Sequence, residues 1–382
     1  MLKLNPLLKK MYCVRCGRTF EVSDYFTGCP TCGEKGFPAN LSFQYDKRQQ
    51  IYTDKKRMFR YQDFLPYLDF PSLGEGATPV IEVKKIADLF KLNKVYIKNE
   101  FQNPTGSHKD RMSALVVARA ISLGKECVVA ASSGNAGASL SSYAAEAGIK
   151  CKIITTKNMN PIWKKAIEIP GADIVFMDTP QERWPYMQEM VEKEGWYPVT
   201  NYVSPPVGSN PFGIQGYKTI SYEVYEDFSN KLPDYILVPT CRADLLWGIF
   251  EGFKDLKVLG LIKDIPHLVA VEPFPRISKI LDGADYRDTF PGNSARTSSI
   301  GGTSVTYQAV VAIKESGGFA SNVKQAEIGD YVQKMAQVGF YLESSSATIF
   351  GALKQAVECN KIPTGADVLM IATSSGYKDY PV

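Results

Sequence analysis

The segment that decides the fold is Asn103-Pro-Thr-Gly-Ser-His-Lys-Asp-Arg111. An apolar, β-rich run, Lys94-Val-Tyr-Ile-Lys98, precedes it, and residues 112–121 have the pattern of a helix. Asn-Pro and Thr-Gly predict a turn, and Ser107 is predicted to be the N-cap of that helix. Lys109 would then lie in the first helical turn, where unpaired N–H groups and the helix dipole disfavour added positive charge. This position favours the neutral amine that imine chemistry needs.

Taken alone, the same segment also fits an ordinary exposed lysine at the start of a helix. Further segments with glycine, serine and asparagine after apolar runs make that interpretation less favourable. They are Leu73-Gly-Glu-Gly-Ala-Thr-Pro79, Ser132-Ser-Gly-Asn-Ala-Gly-Ala138, Ser209-Asn-Pro-Phe-Gly-Ile-Gln-Gly-Tyr-Lys-Thr219, Phe340-Tyr-Leu-Glu-Ser-Ser-Ser-Ala347 and Val368-Leu-Met-Ile-Ala-Thr-Ser-Ser-Gly-Tyr-Lys-Asp379.

These segments, in this order, resemble the motifs of the fold-type-II pyridoxal-phosphate enzymes, and most closely those of threonine synthases. The resemblance runs from about Gly74 to Asp379 and departs from the usual motif at His108, where the family has phenylalanine. It implies an α/β fold like that of the tryptophan synthase β subunit, with two α/β domains and mainly parallel sheets. It also implies pyridoxal 5'-phosphate as cofactor, with Lys109 as the catalytic residue that bonds it.

The segment around residue 135 combines a strand, a glycine-rich turn and a helix start, which together form a cradle of backbone N–H groups for an anion. The resemblance implies that Ser132, Ser133, Asn135 and Ala136 bind the substrate carboxylate, and that Asn135 also touches the cofactor's 3-hydroxyl. Ala136 has no hydroxyl, so its contact would come from its backbone. A generic turn between a strand and a helix is the alternative.

Two later residues are assigned to the cofactor by the same resemblance. Glu343 would lie close to the imine, and the hydroxyl of Thr373 would face the pyridine nitrogen. A neutral hydroxyl at that place leaves the ring largely unprotonated, which suits elimination and replacement reactions rather than transamination.

The segment expected to bind the cofactor's phosphate departs furthest from the family. Between a predicted strand at 232–240 and a predicted helix at 245–253, the family has a glycine-rich loop, whereas this chain has Thr240 followed by Cys241-Arg-Ala-Asp244. Cysteine and alanine are strained at the positive φ angles that glycine allows. Arg242 would compensate with charge-assisted bonds if it points inward. The phosphate site is therefore predicted at Thr240, Cys241, Arg242, Ala243 and Asp244 in an altered form, or else the chain is a non-catalytic homologue.

Four of the eight cysteines form two Cys-x-x-Cys pairs, Cys13 with Cys16 and Cys29 with Cys32, each followed by glycine. Such pairs bring four thiolates to one ion, which predicts a structural zinc ribbon, with disulfides or a lapsed site as alternatives. The scattered cysteines suit a reducing compartment. Only two histidines are present, which argues against a histidine-based metal centre.

Composition sets further limits. The chain has 382 residues, 44 basic and 40 acidic, and a formal charge of +4, so no strong field for nucleic acid is expected. Apolar runs are too short for a signal peptide or a membrane span, which predicts a cytoplasmic enzyme with no membrane partner. The predicted domains are a ribbon module at 1–45, a large cofactor domain at 46–110 and 206–382, and a small inserted domain at 111–205. A homodimer is expected.

The predicted function is that of a carbon–oxygen lyase, threonine synthase, which converts O-phosphohomoserine and water to threonine and phosphate. Its substrate phosphate has candidate partners in Lys164, Lys165, Ser209 and Asn210. The alternatives are β-replacement on O-phosphoserine, as in cysteate synthase, and dehydration of threonine or serine. A non-catalytic protein that binds the cofactor or an amino acid and a zinc-ribbon nucleic-acid adaptor are the alternatives from other classes.

Overall fold

A computed structural model describes residues 2–229 and 231–379 of the chain. The strands of this part are β1 (Leu8–Cys13), β2 (Thr19–Phe20), β3 (Leu41–Tyr45), β4 (Val80–Glu82), β5 (Lys94–Lys98), β6 (Cys127–Ala131), β7 (Lys150–Thr156), β8 (Asp173–Met177), β9 (Tyr197–Pro198), β10 (Tyr235–Pro239), β11 (His267–Glu272), β12 (Phe319–Asn322) and β13 (Asp367–Ile371).

The α-helices of the same part are α1 (Pro30–Glu34), α2 (Lys84–Phe90), α3 (Lys109–Ser122), α4 (Asn135–Glu146), α5 (Pro161–Glu168), α6 (Arg183–Glu194), α7 (Pro211–Ile214), α8 (Lys218–Asp227), α9 (Asp244–Val258), α10 (Ile277–Leu281), α11 (Tyr307–Glu315), α12 (Ile328–Gln337) and α13 (Ser344–Glu358). Short 3-10 helices include Arg57–Phe64 and Gln215–Tyr217.

The chain divides into two compact units, each made of two segments. Unit 1 consists of Met1–Ala77 and Asn103–Thr219, and unit 2 consists of Thr78–Gln102 and Ile220–Val382. One boundary therefore follows Ala77 inside the glycine-rich turn at 73–79, and the next lies just before the 103–111 segment.

Unit 1 holds two sheets. One is a small antiparallel sheet in the order β2-β1-β3 that carries the N-terminal cysteines, and the other is a parallel sheet in the order β8-β7-β6-β9. The apolar runs of β6 and β7 are buried because α4 and α6 pack on this sheet. Helix α3 packs against α4 and α7.

Unit 2 is built on one six-stranded sheet in the order β12-β11-β10-β13-β5-β4. Every pair is parallel except the edge pair of β4 with β5. One of its core clusters joins strands β5, β10, β11 and β13 to apolar residues of α2, α12 and α13. Two mainly parallel sheets within an α/β chain confirm the predicted fold class.

Several predicted elements agree with the structure, since β5 has the predicted bounds and β6, β7, β8, β10 and β11 lie within or close to the predicted runs. The prediction that Ser107 is the N-cap of the lysine helix is wrong. Helix α3 begins at Lys109, its cap position is His108, and Ser107 instead accepts the N–H of Lys109 through its hydroxyl at 3.4 Å. The helix starts earlier than residue 112 because the turn before it continues directly into helical backbone.

The two units do not follow the predicted domain boundaries. The segment predicted as a separate ribbon module lies in unit 1, because Asn40 donates a 3.0 Å hydrogen bond to the carbonyl of Ser209 and the Phe43 ring packs on Phe212 at 4.8 Å. Residues 46–77 also belong to unit 1. There Asn5 donates to the carbonyls of residues in the 3-10 helix Arg57–Phe64.

In the part of the chain that the structure describes, no helix combines the length and the apolar character needed to cross a membrane.

Candidate active site and metal centre

Lys109 is the first residue of α3, and its amine has a specific partner. The Nζ atom donates a 3.2 Å hydrogen bond to the hydroxyl of Tyr217, and it lies 5.5 Å from the centre of the Tyr217 ring. Tyr217 is fully buried, whereas Lys109 is half-buried. The structure therefore places Lys109 in the first helical turn, as predicted, and adds a phenol that the sequence did not indicate.

The contact between these two residues depends on close packing of backbone. A Cβ atom at Gly216 would lie 1.9 Å from the carbonyl oxygen of Arg111, and one at Gly213 would lie 2.8 Å from the side chain of Met112. Only glycine at both positions allows the segment at 213–217 to approach α3 this closely. Tyr217, which follows directly, is thereby brought to the first turn of α3.

The turn before Lys109 is held by buried polar groups. The carboxylate of Asp110 accepts the N–H of Thr105 at 2.7 Å and its hydroxyl at 2.5 Å. The side chain of Asn103 accepts the N–H of Gly76 at 2.9 Å. Arg111, fully buried, donates to the hydroxyl of Thr219 at 2.8 Å. The residues around the lysine are thus fixed by the chain itself, which preorganises its position.

Two other lysines near the site motifs are occupied by structural contacts. Lys98 donates to the carbonyl of Thr78 at 2.6 Å and pairs with Glu223 at 2.9 Å and Asp227 at 3.1 Å. Lys218 donates to the carbonyl of Phe64 at 3.1 Å. Both amines are buried, and Lys98 is paired with two carboxylates, so the contacts of these two lysines within the chain disfavour them as the predicted nucleophile.

A buried carboxylate stabilises the glycine-rich turn at 73–79. Glu75 is fully buried and accepts hydrogen bonds from the N–H of Leu73 at 3.1 Å and from the hydroxyl of Tyr143 at 2.6 Å. Burial, followed by the negative charges of Asp110 and Glu75, raises the pKa of the Tyr143 phenol. Tyr143 therefore stays protonated and acts as a hydrogen-bond donor that ties the turn to α4.

The serine-rich loop before α4 uses its hydroxyls internally. The Ser132 hydroxyl accepts the N–H groups of Gly134 at 3.3 Å and Gly137 at 3.0 Å, so it caps the helix. The Ser133 hydroxyl lies 2.8 Å from that of Thr155. Asn135 is buried and Ala136 half-buried in the first turn of α4. What this loop offers an anion is mainly the backbone N–H groups at the helix start.

In unit 2, the predicted phosphate loop leads into α9, which begins at Asp244. Ala243 has φ 75° and ψ 17°, a left-handed conformation that glycine adopts readily and alanine does not. A left-handed residue before a helix N-terminus directs successive N–H groups to one side, which suits a phosphate. The loop therefore keeps the backbone shape of a glycine-rich loop although its glycines are replaced.

Contacts to residues 301–308 hold this loop in place. The Cys241 thiol donates to the carbonyl of Gly301 at 2.6 Å, and the Thr306 hydroxyl donates to the carbonyl of Arg242. Gln308 donates to the carboxylate of Asp244 at 2.9 Å. The side chains of Cys241 and Asp244 thus stabilise the loop through contacts within the chain. Arg242 is half-buried.

Arg276 is a residue of this region that the sequence did not indicate. It is fully buried, donates to the carbonyls of Thr240 at 2.8 Å and Gly302 at 2.7 Å, and lies 3.4 Å from the carboxylate of Glu272. Burial raises the pKa of Glu272, although Arg276 and the N–H groups of the following helix act in the opposite direction. Arg276 joins Thr240, at the start of the candidate phosphate loop, to Gly302 in the segment that holds this loop, and nothing in its local sequence signals that role.

The other two predicted cofactor residues also lie in unit 2. Glu343 is buried directly before α13 and accepts a hydrogen bond from Ser299. Thr373 is buried after β13, and its N–H donates to the hydroxyl of Ser346 at 2.9 Å. Glu343 lies at the start of a helix, and Thr373 follows the carboxyl end of a strand. α/β enzymes bind their ligands at such positions.

The candidates for a substrate phosphate have other contacts. Asn210 caps α7 by accepting the N–H of Phe212 at 3.0 Å, and its amide donates to the hydroxyl of Tyr197 at 3.0 Å. Lys164 is exposed and lies 3.7 Å from Glu168 on its own helix. Lys165, in the last turn of that helix, is exposed, and Ser209 is half-buried with its carbonyl bound by Asn40. Asn210 therefore has a structural role.

The four N-terminal cysteines converge. The sulfur atoms of Cys13, Cys16, Cys29 and Cys32 all lie within 4.8 Å of one another, with 3.7 Å between Cys13 and Cys32 and 3.9 Å between Cys16 and Cys29. Four thiolates around a zinc ion at about 2.3 Å would lie about 3.8 Å apart in a tetrahedron. The sulfur geometry fits such an ion, and all four cysteines are free thiols.

Comparison with known proteins identifies the family. Residues 71–374 match the family described as "Pyridoxal-phosphate dependent enzyme". The chain belongs to this family. The matched range contains Lys109, the 240–244 loop, Glu343 and Thr373, so the pyridoxal-phosphate-dependent enzyme predicted from the motifs is confirmed. A lysine amine held by a phenol and a loop shaped for a phosphate are groups that fit this cofactor.

Relatives of this pyridoxal-phosphate-dependent enzyme are named threonine synthase. The protein from Methanocaldococcus jannaschii is 30% identical over 387 residues, which cover 96% of this chain and 92% of the relative. The protein from Methanosarcina acetivorans is 27% identical, with 96% of this chain and 91% of the relative covered. The protein from Halalkalibacterium halodurans is 29% identical, and the matched region covers 84% of this chain and 88% of the relative.

Solved structures of the same fold support the assignment of fold type II. An L-serine ammonia-lyase from Rhizomucor miehei superposes with a TM-score of 0.67 at 18% identity, over 80% of this chain and 95% of that protein. A threonine deaminase from Solanum lycopersicum gives a TM-score of 0.65 at 21% identity, over 78% and 79%. At these identities the likeness concerns the fold alone.

Proposed function

We propose that the chain is a threonine synthase, which converts O-phospho-L-homoserine and water to L-threonine and phosphate. The observation that carries this proposal is the similarity to relatives named threonine synthase over nearly the whole chain, 96% of it at 30% identity. The reaction class, elimination and replacement on an amino acid by a carbon–oxygen lyase, is the broader form of the same proposal.

Lys109 has the central role in the proposed reaction. Its Nζ atom would hold the cofactor and would take the proton from the substrate Cα as a base. Bound pyridoxal phosphate supplies the electron sink that makes this proton acidic. The position of Lys109 in the first turn of α3, next to Tyr217, supports the assignment because the amine is half-buried and is oriented by its hydrogen bond to the Tyr217 hydroxyl.

The loop at Thr240, Cys241, Arg242, Ala243 and Asp244 is proposed to bind the cofactor's phosphate. Its support is the left-handed Ala243 before the start of α9 and the contacts that fix the loop. Backbone N–H groups would make most of the bonds, because the thiol of Cys241 and the carboxylate of Asp244 have partners within the chain. Arg242 would add positive charge.

The remaining assignments follow the motifs of the family. The N–H groups at Asn135 and Ala136 would bind the substrate carboxylate, next to the loop residues Ser132 and Ser133, and the Ser132 hydroxyl accepts the neighbouring N–H groups of Gly134 and Gly137. The amide of Asn135 would reach the 3-hydroxyl of the cofactor. Glu343 is proposed next to the reacting centre, and the hydroxyl of Thr373 is proposed to face the pyridine nitrogen. A hydroxyl there leaves that nitrogen unprotonated and favours loss of a leaving group.

The cysteine cluster is proposed to bind one structural Zn²⁺ through Cys13, Cys16, Cys29 and Cys32. Its support is the sulfur geometry, which matches a tetrahedral ion. The homodimer and the cytoplasmic location expected from the family stay predictions. Size-exclusion chromatography with light scattering measures the first of them directly.

A substrate panel tests the proposed function. Purified protein loaded with the cofactor is incubated with O-phospho-L-homoserine, O-phospho-L-serine with sulfite, L-threonine and L-serine, and released phosphate, ammonia and amino-acid products are measured. Phosphate and threonine formed in equal amounts from the first substrate support threonine synthase. Turnover of O-phosphoserine or of the free amino acids would assign a replacement enzyme or a dehydratase instead. Cofactor absorbance without any turnover would indicate a non-catalytic homologue.

A further inference from the structure

The contact between Lys109 and Tyr217 has a chemical consequence. Tyr217 is fully buried, and its hydroxyl accepts a 3.2 Å hydrogen bond from Nζ of Lys109 while its ring faces the same atom at 5.5 Å. The same hydroxyl lies 3.4 Å from the sulfur of Met112. A phenol with no exposed surface is thus directed at the one amine that the motifs single out.

We propose that Tyr217 is a catalytic residue that stabilises Lys109 in its protonated form, after the amine has taken the substrate's Cα proton. The inference rests on the proposed role of Lys109 and adds a residue to it. Tyr217 keeps its own phenolic proton throughout. The proton moves between the substrate carbon and Nζ of Lys109, and the Tyr217 oxygen accepts an N–H bond in both states.

The physical reason lies in the difference between an amine and an ammonium as hydrogen-bond donors. A bond from a charged donor is roughly twice as strong as one from a neutral donor, so an accepting hydroxyl favours the ammonium. The face of an aromatic ring favours the same form because its quadrupole attracts cations. Both effects come from Tyr217, and both make Lys109 a stronger base at the moment of proton transfer.

The geometry that supports this role is built into the backbone. Gly213 and Gly216 allow the 213–217 segment to lie against α3, and a Cβ at Gly216 would collide with the carbonyl of Arg111. Tyr217 follows that glycine directly, so its ring direction is set by the close contact. Met112, three residues after Lys109 in α3, packs against the Tyr217 hydroxyl and limits the movement of this group.

Other charged or titratable groups lie next to Lys109 in the chain. Asp110 accepts hydrogen bonds from Thr105, and Arg111 donates one to Thr219. The His108 ring lies near Tyr217, with 5.5 Å between the ring centres. These groups are the same in wild-type protein and in a Tyr217 variant, so a change caused by the phenol can be separated from them.

The test uses Tyr217→Phe, which removes the hydroxyl and retains the ring. The first measurement is the rate at which apoprotein bonds pyridoxal 5'-phosphate covalently, followed by absorbance from pH 6 to pH 10. Because the variant stabilises the ammonium less, the midpoint of this pH profile should move down by about one unit, the size expected for one hydrogen bond to a charged group. This measurement needs no substrate.

The second measurement uses substrate. With O-phospho-L-homoserine, Tyr217→Phe should lower kcat about tenfold or more and leave KM within about threefold, since the lost bond is strongest once Nζ of Lys109 has taken the proton. Deuterium at Cα should then slow the variant more than the wild type, because proton abstraction becomes the slower step. Tyr222→Phe is the matched control, as Tyr222 is also fully buried and donates a 2.6 Å bond to Asp255.

The outcomes separate this inference from the proposed function. An unchanged pH midpoint and isotope effect in Tyr217→Phe, with Lys109→Ala unable to bond the cofactor, would overturn the role of Tyr217 alone. Covalent bonding of the cofactor that survives in Lys109→Ala would overturn both. A shifted midpoint in Tyr217→Phe and an unshifted one in Tyr222→Phe would support the proposal.

Discussion

Asp24 and Arg119 form a buried ion pair that fastens the N-terminal cysteine segment to the helix that begins with Lys109. Asp24 lies between the two cysteine pairs, and its carboxylate receives Arg119 at 2.9 and 3.2 Å. It also accepts the hydroxyl of Tyr197 at 2.7 Å. The side chains of Asp24 and Arg119 are 16% and 7% exposed. The N-terminal cysteine segment is therefore attached to helix α3 by charge as well as by packing.

Replacing Asp24 should destabilise the protein. Asp24→Ala leaves Arg119 buried without its carboxylate, and we expect the free energy of unfolding to fall by about 2–4 kcal/mol, as for other buried pairs that lose one partner. Urea denaturation measures this change. Asp46→Ala is the matched control, because Asp46 forms a pair of similar length with the exposed Arg48 and its removal should leave the unfolding midpoint nearly unchanged. Equal effects of the two variants would contradict the structural role of Asp24.

The metal content of the cysteine cluster is a separate prediction. Protein purified without added metal should contain one zinc per chain, and Cys29→Ser should lose it, because the buried Cys29 supplies one of four ligands. Elemental analysis gives the metal content, and thermal unfolding should show a fall in Tm of at least about 5 °C when zinc is removed. Cys359→Ser, an exposed cysteine outside the cluster, should keep both zinc and Tm. Zinc-free wild type that is reduced and folded would refute the site.

The left-handed backbone at Ala243 predicts which substitutions the phosphate loop tolerates. Ala243→Val places a β-branched side chain at φ 75°, which should lower the free energy of unfolding by at least about 2 kcal/mol. Ala243→Gly relieves the strain but loses a buried methyl group and raises the entropy of the unfolded chain, so its net effect should stay below about 1 kcal/mol. Denaturant unfolding of both variants compares them. A valine variant as stable as the glycine variant would contradict the left-handed conformation.

Arg276 should stabilise unit 2 in a pH-dependent manner. Arg276→Met leaves Glu272 buried without a counter-charge, which should cost about 3 kcal/mol near neutral pH. Burial already raises the pKa of Glu272, so its protonated form suits the folded state, and the stability it contributes is present at low pH and lost as the pH rises. The loss in Arg276→Met should therefore shrink as the pH falls toward 5. Unfolding curves at several pH values measure this trend.

Glu272→Gln combined with Arg276→Met is the control for that charge effect. The double variant has no carboxylate at position 272, so it should recover part of the stability and lose the pH dependence that comes from Glu272. A pH-independent loss in the single variant would indicate that the hydrogen bonds to Thr240 and Gly302 account for the whole effect.

Local patterns predicted much of the fold because they depend on neighbours in sequence. The strand Lys94–Lys98 has the predicted bounds, and the position of Lys109 in a first helical turn follows from the turn residues before it. The convergence of the four cysteines was predictable too, since the spacing of each pair limits where the sulfur atoms can lie. These features need no knowledge of distant contacts.

The contacts missed by the sequence connect residues far apart in the chain. Tyr217 is 108 positions from Lys109, Asp24 is 95 from Arg119, and Arg276 is 36 from Thr240. Each of these contacts depends on tertiary packing, and the spacing of residues in a single sequence does not indicate such packing. Tyr217 had a weak signal in the Gly-Tyr-Lys-Thr run at 216–219, where glycine precedes the aromatic ring. The prediction of Ser107 as N-cap was wrong for a local reason, because the cap position lies one residue later, at His108.

The measurement that tests the account most directly is the covalent bond between Lys109 and the cofactor. Purified wild-type protein should absorb visible light, and borohydride reduction followed by peptide mass spectrometry should find the reduced cofactor on Lys109. Lys109→Ala should lose both signals, while the matched variant Lys164→Ala, on the exposed face of α5, should keep them. Reduced cofactor on another lysine, such as Lys98 or Lys218, would contradict the assignment of the active site.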